Sequence, residues 1–509
     1  MFEKQCKMIN YFWSELRESG IHVRDQWQFE LKSEFMINQT LVKNIYKQEF
    51  YFFIPSPLQI NSETLTKAQF FSDQTNLIRY KTPRMSLSEL IDLSYSSSPL
   101  NRLQLIIEAN LTNQKSIIDE LQLFANIFKT ALRDRIFHVS QSLEKMENQT
   151  IILYSSIIEE LSKQVQQVTL HYREIQKKLL HNSSSQINYA CKYVDEFISH
   201  TIDEYFLILL KQFTQNDKID IHIKKVLVRH IAKEKEYRRE CKLESKSNDE
   251  QNNESILYRQ GLLNRFMLES LMLKSYRASL EEKHGNILGG VAAGIAMFVY
   301  MILFAWKISV FVINSFPFIM FAVFFYILKD RIKEGLKKIY YKKASRWFPD
   351  YSTEIKTQNE KKIGHLTENF AFIEPSQLPP DFLEIRNHHF HEELQALNRH
   401  ESILHYKREV SLYYQPSHLQ RRRKELTTIF RLNIQRFVQK ASNALQPNLT
   451  LNLSTEEIQE RLLPKVYHLN IIIRNTYQQP DFTYKSEIET FRVVVDKIGI
   501  KRVEQINQN

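Results

Sequence analysis

Glycine is scarce in this chain: nine in 509 residues, four of them between Gly285 and Gly294. Soluble proteins use about 7% glycine for tight turns and phosphate loops. The few that remain elsewhere argue against a doubly wound or all-β fold and for long helices. Cysteine is equally sparse. Cys6, Cys191 and Cys241 are far apart and form no CxxC pair, which excludes a disulfide framework and a zinc ribbon and suits a reducing compartment. No GxxxxGK[ST] loop, GxGxxG turn, GxSxG elbow or kinase HRD/DFG pair occurs, so no catalytic residue, cofactor or metal ligand is assigned. The first residues, MFEKQCKMINYFWSEL, lack the apolar run of a secretory signal, and the bulk of the chain is expected in the cytosol.

What the chain does have is a long apolar stretch. Residues 287–306 and 308–328 are uncharged and only Lys307 separates them. A bilayer core of about 30 Å needs about 20 helical residues, so the stretch predicts a two-span transmembrane hairpin. A buried hairpin in a soluble core and a shallow re-entrant hairpin are the competing readings. Gly290 and Gly294 form a GxxxG pair, a flat surface for helix packing within the membrane or between copies. Asn314, Ser315 and Pro317 would need partners inside the second span.

Charge sharpens the expected topology. The chain carries +11, and residues 329–346 supply +6 of it through Lys329, Arg331, Lys333, Lys337, Lys338, Lys342, Lys343 and Arg346 against two acids. This lipid-facing basic cluster predicts anionic headgroups as partners and, by the positive-inside rule, both ends of the chain on the cytoplasmic side. It also explains the positive charge without nucleic acid.

The soluble parts read as mainly α. Ile117, Leu121, Phe124, Phe128, Leu132, Ile136, Val139, Leu143 and Met146 alternate steps of three and four. Ile151, Tyr154, Ile158, Leu161, Val165, Val168, Tyr172, Ile175 and Leu179 keep the alternation unbroken, the seam of a left-handed coiled coil. Residues 147–150 between the runs are either a turn or a phase slip within one helix. Self-assembly, a coiled-coil protein partner and an intramolecular bundle all satisfy such a seam. Helices are further expected over 187–213 and 255–282, the latter leading into the first span. Phe50 to Phe53 reads as a buried strand.

The resulting division is a small mixed α/β module (1–100), a helical and coiled-coil region (101–243), a polar linker (244–254) and a membrane-proximal helix (255–286). The transmembrane hairpin (287–328), a basic juxtamembrane helix (329–346) and a smaller α+β module (347–509) follow. In the last, helices are expected near 392–410 and 419–443, and alternating runs at 449–453, 468–473 and 491–495 predict strands. His388, His389, His391, His400 and His405 cluster without the spacing of a metal motif. Arg421 to Lys424 is a basic run that suits a solvated helix face or anionic headgroups. The functional expectation is a non-enzymatic integral membrane scaffold that assembles through the seam. The alternatives are a subunit of an oligomeric two-span channel using Asn314 and Ser315, and a membrane-bound enzyme with a site at His388, His391 and His405.

Overall fold

The computed structural model describes residues 20–38, 40–109, 113–144, 151–182, 184–215, 221–243, 253–279, 290–302, 305, 316–344, 349–388, 401–413, 422–452, 457–479 and 481–506. They form two compact units. One comprises residues 79–273 and 416–427; the other comprises 1–78, 274–415 and 428–509.

The first unit is a helical bundle: α1 (Leu87–Ile91), α2 (Pro99–Glu108), α3 (Gln114–Glu144), α4 (Ile151–Asn182), α5 (Ser185–Gln215), α6 (Ile221–Glu240) and α7 (Asn253–Leu268). The three-four spacing of α3 becomes a buried stripe, from Ile117 through Phe128 to Val139. The seam of α4 is buried in the same way from Ile158 to Leu179. Its fillers are the chain's own helices: Phe124 of α3 stacks on Tyr172 at 5.0 Å, and the Tyr172 hydroxyl donates to the Cys191 carbonyl of α5 at 2.8 Å. A 3.6-residue period directs one stripe to one side, and here that side faces an intramolecular bundle.

The second unit is an antiparallel sandwich. Its strands are β1 (Gly20–Val23), β2 (Gln28–Met36), β3 (Lys43–Pro55), β4 (Gln74–Tyr80), β5 (Lys274–Ser279), β6 (Tyr351–Lys356), β7 (Lys362–Ile373), β8 (Glu401–Tyr413), β9 (Glu425–Asn433), β10 (Leu445–Asn452), β11 (Glu457–Pro464), β12 (Tyr467–Gln478), β13 (Tyr484–Asp496) and β14 (Gly499–Ile506). An eight-stranded sheet runs β14-β13-β12-β3-β8-β7-β6-β5, a four-stranded one runs β1-β2-β9-β4, and β10-β11 is a separate hairpin. The two larger sheets share one core, in which Phe29 and Phe430 meet Phe50, Phe52, Leu404 and Ile471. Along β3 the side chains alternate: Phe50, Phe52 and Ile54 enter this core, while Tyr51 and Phe53 pack with Phe382 on the other face. A strand covered on both faces reads as a continuous apolar run, as expected for residues 50–53.

The mainly α fold class is therefore corrected: the described residues include fourteen strands beside the bundle. Glycine scarcity misled because other residues occupy the left-handed turn positions. Glu360 (φ 61°) closes β6–β7 and Phe482 (φ 65°) closes β12–β13, at a local conformational cost that sheet pairing outweighs. Residues 401–410 and 425–433, expected as helix, are strands β8 and β9. The helix expected over 255–282 stops at Leu268, and Lys274–Ser279 instead forms an exposed edge strand paired with β6.

The two-span hairpin is corrected too. No helix among the described residues is long and apolar enough to cross a membrane. Residues 290–302 are helical, and helix α8 runs Phe316–Ala344. Among the described residues, the uncharged part of α8 runs thirteen residues to Leu328; at about 1.5 Å per residue that is about 20 Å, against the roughly 30 Å of a bilayer core. Lys329, Asp330 and Arg331 follow within the same helix. The integral-membrane scaffold, the channel and membrane-enzyme alternatives, and the multi-pass location with both ends cytoplasmic fall with the hairpin. Asn314, Ser315 and Lys307 lie outside the described residues.

Candidate functional site

Three clusters of chemistry-bearing side chains stand out, and two of them are buried and turned toward their own partners. In the sandwich, the fully buried Arg408 of β8 donates from Nε to Gln48 Oε1 at 2.6 Å, from Nη1 to Asn76 Oδ1 at 2.8 Å and from Nη2 to Thr428 Oγ1 at 3.0 Å. Burial lowers its pKa to about 10. Asn76 passes the network on to Glu368 at 2.6 Å, which also accepts from Tyr406 at 2.7 Å and Gln74 at 2.8 Å. The Arg408 guanidinium and the Glu368 carboxylate are matched within the core and fix its packing, while the Gln74 side-chain oxygen at the edge of the network has no hydrogen-bond partner among the described residues.

The bundle holds the second cluster. Arg173 of α4 bridges Asp195 of α5 at 3.2 Å and Glu234 of α6 at 2.8 Å, with its guanidinium 3.5 Å from the Tyr237 ring. Burial raises the Asp195 carboxyl in spite of Arg173. Burial also works on Glu234, but hydrogen bonds and charge from Arg173, with Ser199, more than offset it and hold that carboxyl low. Burial pushes the Cys191 thiol up to about 12, so the sulfur stays protonated and unreactive near neutrality.

The third cluster is open. A cleft of about 280 Å³ in the helical unit is lined by Lys81, Thr82, Pro83, Arg84, Met85, Tyr95, Ser97, Arg422, Lys424 and Glu425. Its first wall is the stretch between β4 and α1, which is pinned where Lys81 N donates to the Glu425 carbonyl at 2.8 Å. The second is the loop between α1 and α2, held by Asn101 Nδ2 donating to the carbonyls of Asp92 at 2.6 Å and Tyr95 at 3.1 Å. The third is the segment entering β9. There Arg422 donates to both carboxylate oxygens of Glu120, one at 2.9 Å, and Arg423 to Asp119 at 2.7 Å.

The lining carries four cations, Lys81, Arg84, Arg422 and Lys424, against one carboxylate, Glu425, which pairs with Lys81 at 3.0 Å. The Arg422 side chain is only 7% exposed, and its Nε has no hydrogen-bond partner among the described residues. A buried N–H left unmatched costs about 1–3 kcal/mol. Chemically the cleft can hold an anion. Its sole lining carboxylate is held in an ion pair with Lys81.

Sequence had singled out residues 421–424, of which Arg421 lies outside the described residues, but gave no sign of Lys81 and Arg84; only folding brings the two segments together. The remaining expected residues are placed as follows. Ile151 and Tyr154 fall on the first turn of α4 and the rest of the seam is core. At Gly290 and Gly294 a Cβ would meet nothing within 4 Å, while Ala292 and Ala296 are buried. Lys329, Arg331, Lys333, Lys337, Lys338, Lys342 and Lys343 all lie on α8; Arg346 lies outside the described residues. His389, His391 and His400 also lie outside, and His388 ends helix α9 (Pro380–His388). His405 stacks on Tyr51 at 4.5 Å, and burial lowers its pKa to about 4. Comparison with protein-family models, with curated proteins and with solved structures finds no match to this chain.

Proposed function

We propose that the helical unit is a binding module for a small phosphate-bearing ligand, held in the cleft of Lys81, Arg84, Arg422 and Lys424. The observation that carries this reading is the excess of charge around a preformed hollow: four cations against one acid. A phosphate monoester carries about −1.5 to −2 at neutral pH. The net +3 of the lining, reduced by the Glu120 carboxylate behind Arg422, matches that charge better than it matches a single carboxylate. Arginine presents a planar fork to phosphate and lysine a mobile point charge, and the lining offers both. At about 280 Å³ the cleft sits at the small end of ligand sites, room for one or two phosphates and little more.

Titration calorimetry of the full chain with inorganic pyrophosphate tests the reading. Lys424 is exposed, so Lys424→Glu perturbs the lip and spares the Arg422–Glu120 pair. The expected result is saturable binding that weakens about tenfold in Lys424→Glu, equivalent to ~1.4 kcal/mol, and is unchanged in Lys485→Glu on β13 of the sandwich. No binding to the wild-type chain, or equal binding by both variants, would overturn it.

A further inference from the structure

We propose that α8 is a docking surface for an anionic lipid surface, lying against one leaflet without crossing it. The inference stands apart from the cleft and rests on how the two halves of α8 differ. The first half, Phe316 to Leu328, has no charged residue. Phe316 is 76% exposed and Phe324 60%, and Ile319, Val323, Tyr326 and Ile327 are exposed with them. Soluble chains rarely present so many large apolar side chains along one element, and such contiguous patches mark binding surfaces. The second half, 329–344, carries seven basic and two acidic residues, a net +5.

Charge decides the occupant. A second copy docking through the same helix would bring +5 against +5, whereas a sheet of anionic headgroups attracts each lysine near it. The junction has interfacial chemistry as well: Lys329 Nζ lies 4.1 Å from the Tyr326 ring centroid, pairing an aromatic that prefers the water–lipid boundary with a cation that reaches to headgroups. Length sets the mode. No helix among the described residues is long and apolar enough to cross a membrane, and the described apolar half, about 20 Å, is long enough to sink obliquely into one leaflet, with the basic half on the headgroups. Residues 290–302 add exposed Val291, Ile295, Phe298 and Ile302 at helical spacing.

The test is co-sedimentation of the full chain with vesicles of phosphatidylcholine alone or with a third phosphatidylserine, at low and high salt. Binding to the anionic vesicles should exceed binding to the neutral ones at least tenfold and fall with salt. Lys337→Ala with Lys338→Ala should weaken it about thirtyfold. Phe324→Asp with Ile327→Asp should abolish it while the unfolding midpoint stays put, since both side chains are exposed. Equal binding to neutral and anionic vesicles would overturn the proposal. So would a chain that ignores vesicles and whose mass in solution drops from dimer to monomer in Phe324→Asp, because the apolar half would then serve self-association.

Discussion

The most deeply buried arginine of each unit, Arg238 in the bundle and Arg408 in the sandwich, is held in a different way. In the bundle Arg238 meets Asp203, and the nearby Arg173 meets Asp195 and Glu234. In the sandwich Arg408 meets three neutral oxygens and is hydrogen-bonded to Glu368 only by way of Asn76, whereas Arg386 on α9 pairs with Glu401. Helices offer long polar side chains on neighbouring flanks that reach across a shared groove, so opposite charges find each other. The inner face of a sandwich is crowded with Phe50 and Phe430, whose rings lie 5.4 and 5.8 Å from the Arg408 guanidinium, and polar neighbours there are short amides and hydroxyls. Local pairs hold the charges of Arg173 and Arg238; a network dilutes that of Arg408.

The difference predicts different responses to the same kind of damage. Arg173→Met strands two buried carboxylates and should cost about 3–5 kcal/mol near pH 7, the largest effect expected here. In urea unfolding at pH 5 the loss should shrink, because Asp195, already raised by burial, takes up a proton. Arg408→Met leaves the oxygens of Gln48, Asn76 and Thr428 unmatched, for about 2–4 kcal/mol. That loss should be flat between pH 5 and 8, since none of the three titrates. Equal pH dependence in the two variants would break the distinction between paired and diluted charge.

A smaller effect sharpens the sandwich side. His405 is held near pKa 4 by burial, with Glu49 Oε1 3.8 Å away and Lys407 and Lys47 opposing the proton. The folded value lies below the ordinary 6.5, so the unfolded chain binds the proton first. The stability associated with neutral His405 is complete above about pH 6.5 and is lost as pH falls toward 4. His405→Phe keeps the ring on Tyr51 and should make unfolding less sensitive to pH in that window, by on the order of 1–3 kcal/mol at its acid end. An unchanged pH profile would mean that the ring is already protonated in the fold.

How much of this was legible in the chain follows from periodicity. The stripes of α3 and α4 stood out because polar residues could fall between apolar steps without disturbing them. Strand β8 did not, although Leu404, Tyr406, Arg408, Val410 and Leu412 are its buried alternates: an arginine at the centre of that row reads as a solvent position, and only the partners on β3, β4 and β9 make burial tolerable. Of the cleft, residues 422 and 424 were visible as part of a basic run, and Lys81 and Arg84 were ordinary loop cations until the chain brought them opposite.

The apolar stretch after residue 287 teaches the converse. Its hydrophobicity was plain, but whether a run becomes a span depends on the helices it forms, and no helix among the described residues is long and apolar enough to cross a membrane. The sequence by itself determined the apolar stripes of α3 and α4, though not what would cover them, the buried aromatic strand at 50–53 and the concentration of positive charge on α8, because each depends on residue spacing within one element. The sandwich, with residues 43–55 hydrogen-bonded to 401–413 and 470–477, was decided by tertiary structure alone, because strand pairing joins segments hundreds of residues apart that carry no local mark of one another.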